Sequence, residues 1–403
     1  MANPFIDALF LQSGYNASLV AIGGTLLGIT AGSGGTFLFL RKRALVSDAI
    51  AHATLPGIGL AFMAMVALGG DGRNLFGLLA GSAVTAALGL LLVEWMTRQT
   101  RLSEDTAIGA VLSVFFGFGI VLLTIIQNLP AGRQAGLETV LLGSTAGMLF
   151  EDAVLIAIGG VLTLSAVVAL RRPLTLVAFD PEYAASTGIN VRYIDLAMMA
   201  IVMAVTVIGL KIVGLILIVA LLIIPAVTAR FWSERTDHVL WTAGALGGIA
   251  GYVGSAISAA QPDMPTGPVI VLVSFALFVV SLLFAPSRGV LASLYRHRRF
   301  QLQVHRRQGL LALAHDEPIF DQLTLSVLRR ENLIRPDGVA TELGHALGAK
   351  ALRDERRWDI VRRRDADVAL SSRYDGLTPI ESLMTPDEIA EIDRQIGPPL
   401  EVT

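Results

Sequence analysis

About nine apolar runs of some twenty residues each, broken by short basic clusters, leave this chain few folds other than a bundle of membrane-crossing helices. A helix bonds all its backbone polar groups internally, and ~20 residues at ~1.5 Å each match a hydrocarbon core of ~30 Å. The runs fall at 18–40, 44–68, 75–96, 107–129, 152–170, 194–210, 213–231, 239–260 and 268–285. The fold class predicted is therefore an all-α polytopic membrane protein of eight or nine transmembrane helices. Residues 136–149 are apolar but short, and read as a re-entrant or interfacial segment. Residues 1–40 hold no Lys or Arg, so the basic leader of a cleaved secretory signal is missing and the first run is expected to be retained.

Charge is distributed unevenly, although the whole chain carries a net −2 over 403 residues and only 16% are charged. Arg, Asp and Glu crowd the segment after residue 287, which predicts two domains: a membrane body over 1–287 and a cytoplasmic tail over 288–403. Basic clusters at Arg41-Lys42-Arg43, Arg98 and Arg101, Arg171-Arg172, Arg230 and Arg235, and Arg288 onward alternate with loops poor in positive charge. Nine crossings place all five clusters inside, the N-terminus outside and the tail inside; eight would move the N-terminus inside. The balanced charge predicts no nucleic-acid partner, and the lack of cysteine excludes disulfides, thiolate metal sites and thiol catalysis. Neither a Walker sequence nor a dinucleotide fingerprint occurs, so ATP hydrolysis would fall to another chain.

Asp48 and His52 stand out inside an apolar run. Four residues apart on a helix, they share one face about one turn apart, and oxygen with nitrogen suits a divalent transition metal. Ionisable groups in hydrocarbon cost roughly 2.5–3.5 kcal/mol on insertion scales, so they mark pathways more often than packing. Pro56-Gly57 follows within a turn, and proline frees a backbone carbonyl there. Two side chains do not fill a six-coordinate shell, so water, carbonyls or a second subunit must complete it.

A second motif is a short capped helix after the fifth run. Asp180 is a good N-cap, Pro181 fits the first helical position, Glu182 complements the positive helix end and Gly188 closes the C-terminus. Arg73 and Arg133 are the conspicuous basic residues of loops on the opposite side from the basic clusters. Lys211 lies between two apolar runs and is expected to snorkel to an interface.

The run from Asp48 through His52 to Pro56-Gly57 resembles the Asp-x-x-x-His-x-x-x-Pro-Gly signature of the permease subunits of ABC importers for manganese, zinc and iron. Thr106-Ala107-Ile108-Gly109, Phe179-Asp180-Pro181-Glu182-Tyr183-Ala184, Val213-Gly214-Leu215, Pro225 through Arg230 and Pro265-Thr266-Gly267-Pro268 are similar to further landmarks of that family, in the same order. The resemblance covers nearly all of 15–285. It implies a type II importer-like fold in a bacterial plasma (inner) membrane. It also implies a second copy or related permease, a cytoplasmic ATPase dimer and an extracytoplasmic metal-binding protein. Asp48 and His52 would then contact the ion, and the helix at Phe179, Asp180, Pro181, Glu182, Tyr183 and Gly188 would couple to the ATPase. Arg73 and Arg133 would dock the binding protein. The cargo expected is Mn²⁺, with Zn²⁺ or Fe²⁺ next, and the permease needs no cofactor of its own. A proton-coupled secondary metal transporter and a membrane-held metal-responsive regulator are the alternatives.

The tail opens with Arg288, Arg296, Arg298, Arg299, Arg306 and Arg307 and no acid among them, which suits membrane lipid as a partner. Residues 308–314 and 320–331 have helical spacing, 332–338 form a hairpin-like break, and 341–361 return to helix. This predicts a small winged helix. Residues 300–395 are similar to the DNA-binding end of iron-dependent, diphtheria-toxin-type repressors, but the tail offers Asp354, Asp359, Asp365 and Asp367 where such proteins place His and Glu ligands. Docking on the ATPase or the partner permease is the reading favoured for the tail.

Overall fold

The computed structural model describes residues 4–70, 72, 74–128, 148–261, 264–363 and 376–396. The chain divides into two compact units, Met1–Val290 and Leu291–Thr403.

The first unit is helical throughout its described residues. A short α1 (Pro4–Leu9) is followed by α2 (Tyr15–Leu40), α3 (Ala44–Ala67), α4 (Leu75–Gln99) and α5 (Glu104–Asn128). Then come α6 (Phe150–Phe179), the short α7 (Pro181–Ser186), α8 (Val191–Val213), α9 (Leu215–Arg230), α10 (Thr236–Ala260) and α11 (Thr266–Phe284). Among the described residues, eight helices are long and apolar enough to cross a membrane; the apolar part of α9, Leu217–Arg230, is shorter. Side-chain contacts fix their directions. Arg41 after α2 pairs with Asp195 at the start of α8 at 3.0 Å, and Arg43 before α3 pairs with Glu104 at the start of α5 at 3.1 Å. A cleft of about 510 Å³ is lined by Arg171, Arg172 and Phe179 of α6 with Thr236 and Asp237 of α10, so these ends also meet. Since α8 and α10 both start at this basic end, α9 must carry the chain back to it.

Boundaries differ from the sequence reading where charge was taken for helix termination. Arg171 and Arg172 leave the apolar layer, but α6 continues through Pro173 to Phe179. The break between α8 and α9 falls at Gly214, whose φ of +85° is open to glycine and strained for side chains. Lys211 lies within α8 rather than between runs. Most of the segment 136–149 lies outside the described residues.

Glycine sets the spacing of the bundle. On α2, Gly24, Gly28 and Gly32 recur every four residues and face Gly251, Gly247 and Ala243 of α10, which runs antiparallel. A Cβ at Gly28 would stand 2.1 Å from the Gly247 carbonyl oxygen, and one at Gly247 would stand 2.1 Å from that of Gly28. The two backbones touch, which gains dispersion contacts that hydrocarbon chains cannot supply. Gly28→Leu should therefore force α2 and α10 apart. We expect a loss of at least ~1–3 kcal/mol, the usual cost of overpacking, read as a lower midpoint of thermal unfolding in detergent.

The second unit contains α12 (Val290–Ala314, whose first residue closes the first unit), α13 (Gln322–Arg330), α14 (Glu342–Arg363), a 3-10 turn at Ile380–Ser382 and α15 (Pro386–Ile396). The winged-helix expectation needs correcting. Among the described residues the break after α13 carries one isolated antiparallel bridge, Ile334↔Ala340, and no strand. The Arg335 N–H donates to the Val339 carbonyl at 2.8 Å, the Thr341 N–H to the Leu333 carbonyl at 3.0 Å, and Gly338 turns at φ +92°, so the segment is a tight hairpin around one bridge rather than a wing of extended strands. Leu310, Leu313, Leu328 and Leu333 form one small core, and Trp358, Val361, Ile380 and Ile392 another.

Asp354 serves that packing rather than a metal: it is buried, accepts from the Ile380 backbone N–H at 3.0 Å and lies 3.5 Å from Arg307. Asp359 pairs with Arg362, while Asp365 and Asp367 lie outside the described residues. Arg357 of α14 holds α15 by a two-pronged pair with Asp393, at 2.7 and 2.6 Å. Hydrogen bonds from Arg357 and the charges of Arg357 and Arg353 hold the Asp393 carboxyl below its ordinary range. A carboxylate with a lowered folded-state pKa stabilises fully above its unfolded value, about 3.9, and loses that contribution as pH falls through the folded value. The α14–α15 contact should thus persist from neutral pH past about 4, weakening below it and opening as pH falls through the lowered folded value. Arg357→Ala should open it at neutral pH at a cost of about 3 kcal/mol. Distances between spin labels on the two helices, in this cysteine-free chain, check both.

Candidate functional site

Helix α3 begins beside Arg43 at the basic end, so Asp48 and His52 lie in its first turns rather than at its middle. The structure brings the two together as their spacing requires. His52 Nε2 lies 3.4 Å from Asp48 Oδ1, with the imidazole mostly covered and the carboxylate about 40% exposed. His52 Nδ1 is buried and makes no hydrogen bond to a described residue, which leaves one imidazole nitrogen with unused capacity. Phe116 of α5 meets the imidazole edge-on, ring centres 4.8 Å apart. Pro56 has no N–H to donate to the His52 carbonyl one turn earlier, so main-chain oxygen at His52 is a further donor to a cation.

Neighbouring helices grip α3 through small residues on the turns just beyond this pair. A Cβ on Gly57 would come within 2.1 Å of the Gly81 carbonyl oxygen on α4, and one on Gly119 of α5 within 2.6 Å of the Leu55 Cβ. On α4, Gly89 leaves room for Ala53. Leu55, Ile58 and Phe62 are fully covered as a result. The proline turn is therefore clamped from two sides, and the Asp48–His52 face is aimed by packing rather than by its own hydrogen bonds.

Beneath the pair, at the basic end, lies a network of charges. Arg41 forks onto both carboxylate oxygens of Asp195, at 3.1 and 3.0 Å, and donates to the Val177 carbonyl of α6 at 3.0 Å. Arg43 bridges Glu104 and Asp195, at 3.1 and 3.5 Å, and Glu94 of α4 is flanked by Arg98 and Arg192 at 3.0 and 3.4 Å. Ion pairs tie five long helices at this end, the termini of α2 to α5 and α8, and the Val177 carbonyl adds α6. Nothing in the local sequence marks any of these acids as functional. The signal lies in pairs far apart along the chain, which no local spacing reveals.

The capped helix forms as predicted but is shorter: α7 spans Pro181–Ser186, six residues. Asp180 Oδ1 accepts from the Tyr183 N–H at 2.9 Å, Pro181 stands in the first turn and Gly188 has a φ of +87°. Ala184 is buried against the bundle while Phe179 and Tyr183 are 59% and 57% exposed. Two aromatic rings are therefore exposed here, Phe179 at the end of α6 and Tyr183 on α7. Arg73 and Arg133 lie outside the described residues. Among the described residues no group of three or more His, Asp or Glu converges, so Asp48 and His52 stand as a pair.

Comparison with known proteins gives a consistent result. Residues 15–285 match the model of the ABC 3 transport family. The manganese transport system membrane protein MntC of Bacillus subtilis (strain 168) is 40% identical over 309 residues, 76% of this chain and 70% of that protein. The zinc transport system membrane protein TroC of Treponema pallidum (strain Nichols) is 38% identical over 292 residues, 72% of this chain and 96% of that one. Among solved structures, PsaBC from Streptococcus pneumoniae in complex with Fab superposes with a TM-score of 0.62 at 28% identity, covering 72% of this chain and 98% of that chain. The family match ends before the second unit begins.

Proposed function

We infer the function from the premise that this chain belongs to the ABC 3 transport family. It is a multi-pass permease subunit of an ABC importer, and its cargo is a divalent metal ion carried toward the basic end of the bundle, the cytoplasmic side of a bacterial inner membrane. Manganese is the first choice. The names of its relatives support a metal, and a carboxylate with imidazole and no thiolate suits Mn²⁺, with Zn²⁺ or Fe²⁺ accepted by the same donors.

One observation carries this reading: Asp48 and His52, 3.4 Å apart on one face of a membrane helix, with Pro56 freeing main-chain oxygen beside them. A single chain supplies two side-chain donors there, so a second permease copy, water or carbonyl oxygen completes the shell. The outward face of α5, where Gly109 and Gly117 have open space and Phe116 borders His52, is where a second copy would bring its own pair near. An extracytoplasmic metal-binding protein delivers the ion. With no phosphate loop in the chain, a separate ATPase dimer supplies the energy, and α7 transmits closure of that dimer through Tyr183 and Phe179. Arg73 and Arg133 remain candidates for docking the binding protein.

Uptake of radiolabelled Mn²⁺ and Zn²⁺ in cells expressing Asp48→Ala or His52→Ala tests the route. Both substitutions should abolish accumulation while membrane expression stays normal; retained uptake of either ion would remove the pair from the pathway. Tyr183→Asp should leave the bundle folded yet separate ATP hydrolysis from transport. In proteoliposomes containing the full complex, transport per ATP hydrolysed should fall about 10-fold while ATP hydrolysis persists.

A further inference from the structure

The first three turns of α12 are exposed on every side. Val290, Leu291, Leu294, Tyr295, Phe300 and Leu302 are all open to their surroundings, Leu294 at 60% and Tyr295 at 68%. Cover grows from Val304 through Arg307, which are half-buried, and is complete at Gly309, Leu310 and Leu313, where the same helix enters the core of the second unit. A helix that is apolar, exposed and continuous with a packed domain is built to meet something else.

Spacing shows what that is. Leu291, Leu294, Tyr295 and Leu302 recur at intervals of three, one and seven, so they share one helix face. Arg298 falls within that face and Arg299 at its margin, and neither has a carboxylate within ion-pair distance among the described residues. Farther along, Arg306 and Arg307 are already committed, to Glu331 at 2.6 Å and Asp354 at 3.5 Å. No acid occurs between Arg288 and His315. Only residues 285–289 separate the last membrane-length helix from α12.

We propose that the first four turns of α12 lie on the membrane surface, with Leu291, Leu294, Tyr295 and Leu302 in the headgroup boundary and Arg298 and Arg299 on anionic phospholipid. Long basic side chains extend along the apolar face and keep their charge at headgroup level. Anionic lipid answers both properties of the face, apolar area and uncompensated positive charge. A second copy of the same face does not, because two basic faces repel. The surface contact pins the start of the second unit at the bilayer. It is independent of which ion the permease carries.

The test uses the full-length protein in nanodiscs of phosphatidylcholine alone or with 30% phosphatidylglycerol as the probe surface. The chain lacks cysteine, so Leu294→Cys and, on the opposite face, Phe300→Cys each accept a single environment-sensitive fluorophore. Doxyl-labelled lipid should quench the label at 294 in anionic discs, and quench the label at 300 several-fold less. At about 1 kcal/mol per arginine near an anionic surface, R298Q/R299Q should shift the ratio of surface-bound to free helix by about 30-fold. Added salt should weaken the quenching. Equal quenching on the two faces, no difference between the lipids, or unchanged quenching in R298Q/R299Q overturns the proposal. So does a label at 294 that is shielded but not quenched by lipid, the sign of a second copy or another protein on the face.

Discussion

Backbone contact between helices is the constraint on which the membrane unit depends. In hydrocarbon, apolar side chains gain nothing by leaving lipid for protein, so close fit and internal hydrogen bonding must hold the bundle. Gly24, Gly28 and Gly32 against Gly251, Gly247 and Ala243 supply that fit for α2 and α10, and Gly57 against Gly81 supplies it for α3 and α4. The second contact matters for chemistry. It holds the proline turn of α3 in place, and that turn sets where Asp48 and His52 face.

Charge organises the opposite requirement. Arg41, Arg43, Asp195, Glu104, Glu94 and Arg192 are collected at one end of the bundle, where five helix termini meet in linked ion pairs. Isolated exposed pairs contribute little, but a forked arginine with two carboxylate bonds and a main-chain carbonyl is a geometric lock. The lock sits one to two turns from Asp48. On the route proposed for the ion, a cation leaving that pair toward the basic end would pass side chains that tie α2, α3, α5 and α8 together, and opening the way there would strain those pairs. Nearby, α7 hangs from the end of α6, itself held at Val177 by Arg41.

The second unit is built on different physics. Its small cores are supplemented by a fork of Arg357 on Asp393 and by Asp354 receiving the Ile380 N–H, so Asp354, which stands where a ligand would be sought, is consumed in packing. Where helix α12 leaves that core, Arg298 and Arg299 have no carboxylate within ion-pair distance among the described residues.

Much of this was legible along the chain because its signals are local. Apolar length gave the membrane helices, a spacing of four put Asp48 over His52, and Asp180-Pro181 announced α7 through capping chemistry confined to three residues. Errors arose where local signals conflict with continuation: Arg171-Arg172-Pro173 looks like an end yet lies mid-helix, and Pro336-Asp337-Gly338 looks like a wing yet closes a tight hairpin around one bridge. Sequence by itself determined which segments are helical, which end is basic and that a carboxylate and an imidazole share one face of α3, since these follow from periodicity and side-chain chemistry. Tertiary structure alone decided that Phe116 abuts His52, that Arg41 finds Asp195 and that Asp354 is spent on packing, because contacts between distant segments depend on how helices approach one another, and that is set by the summed fit of many small residues.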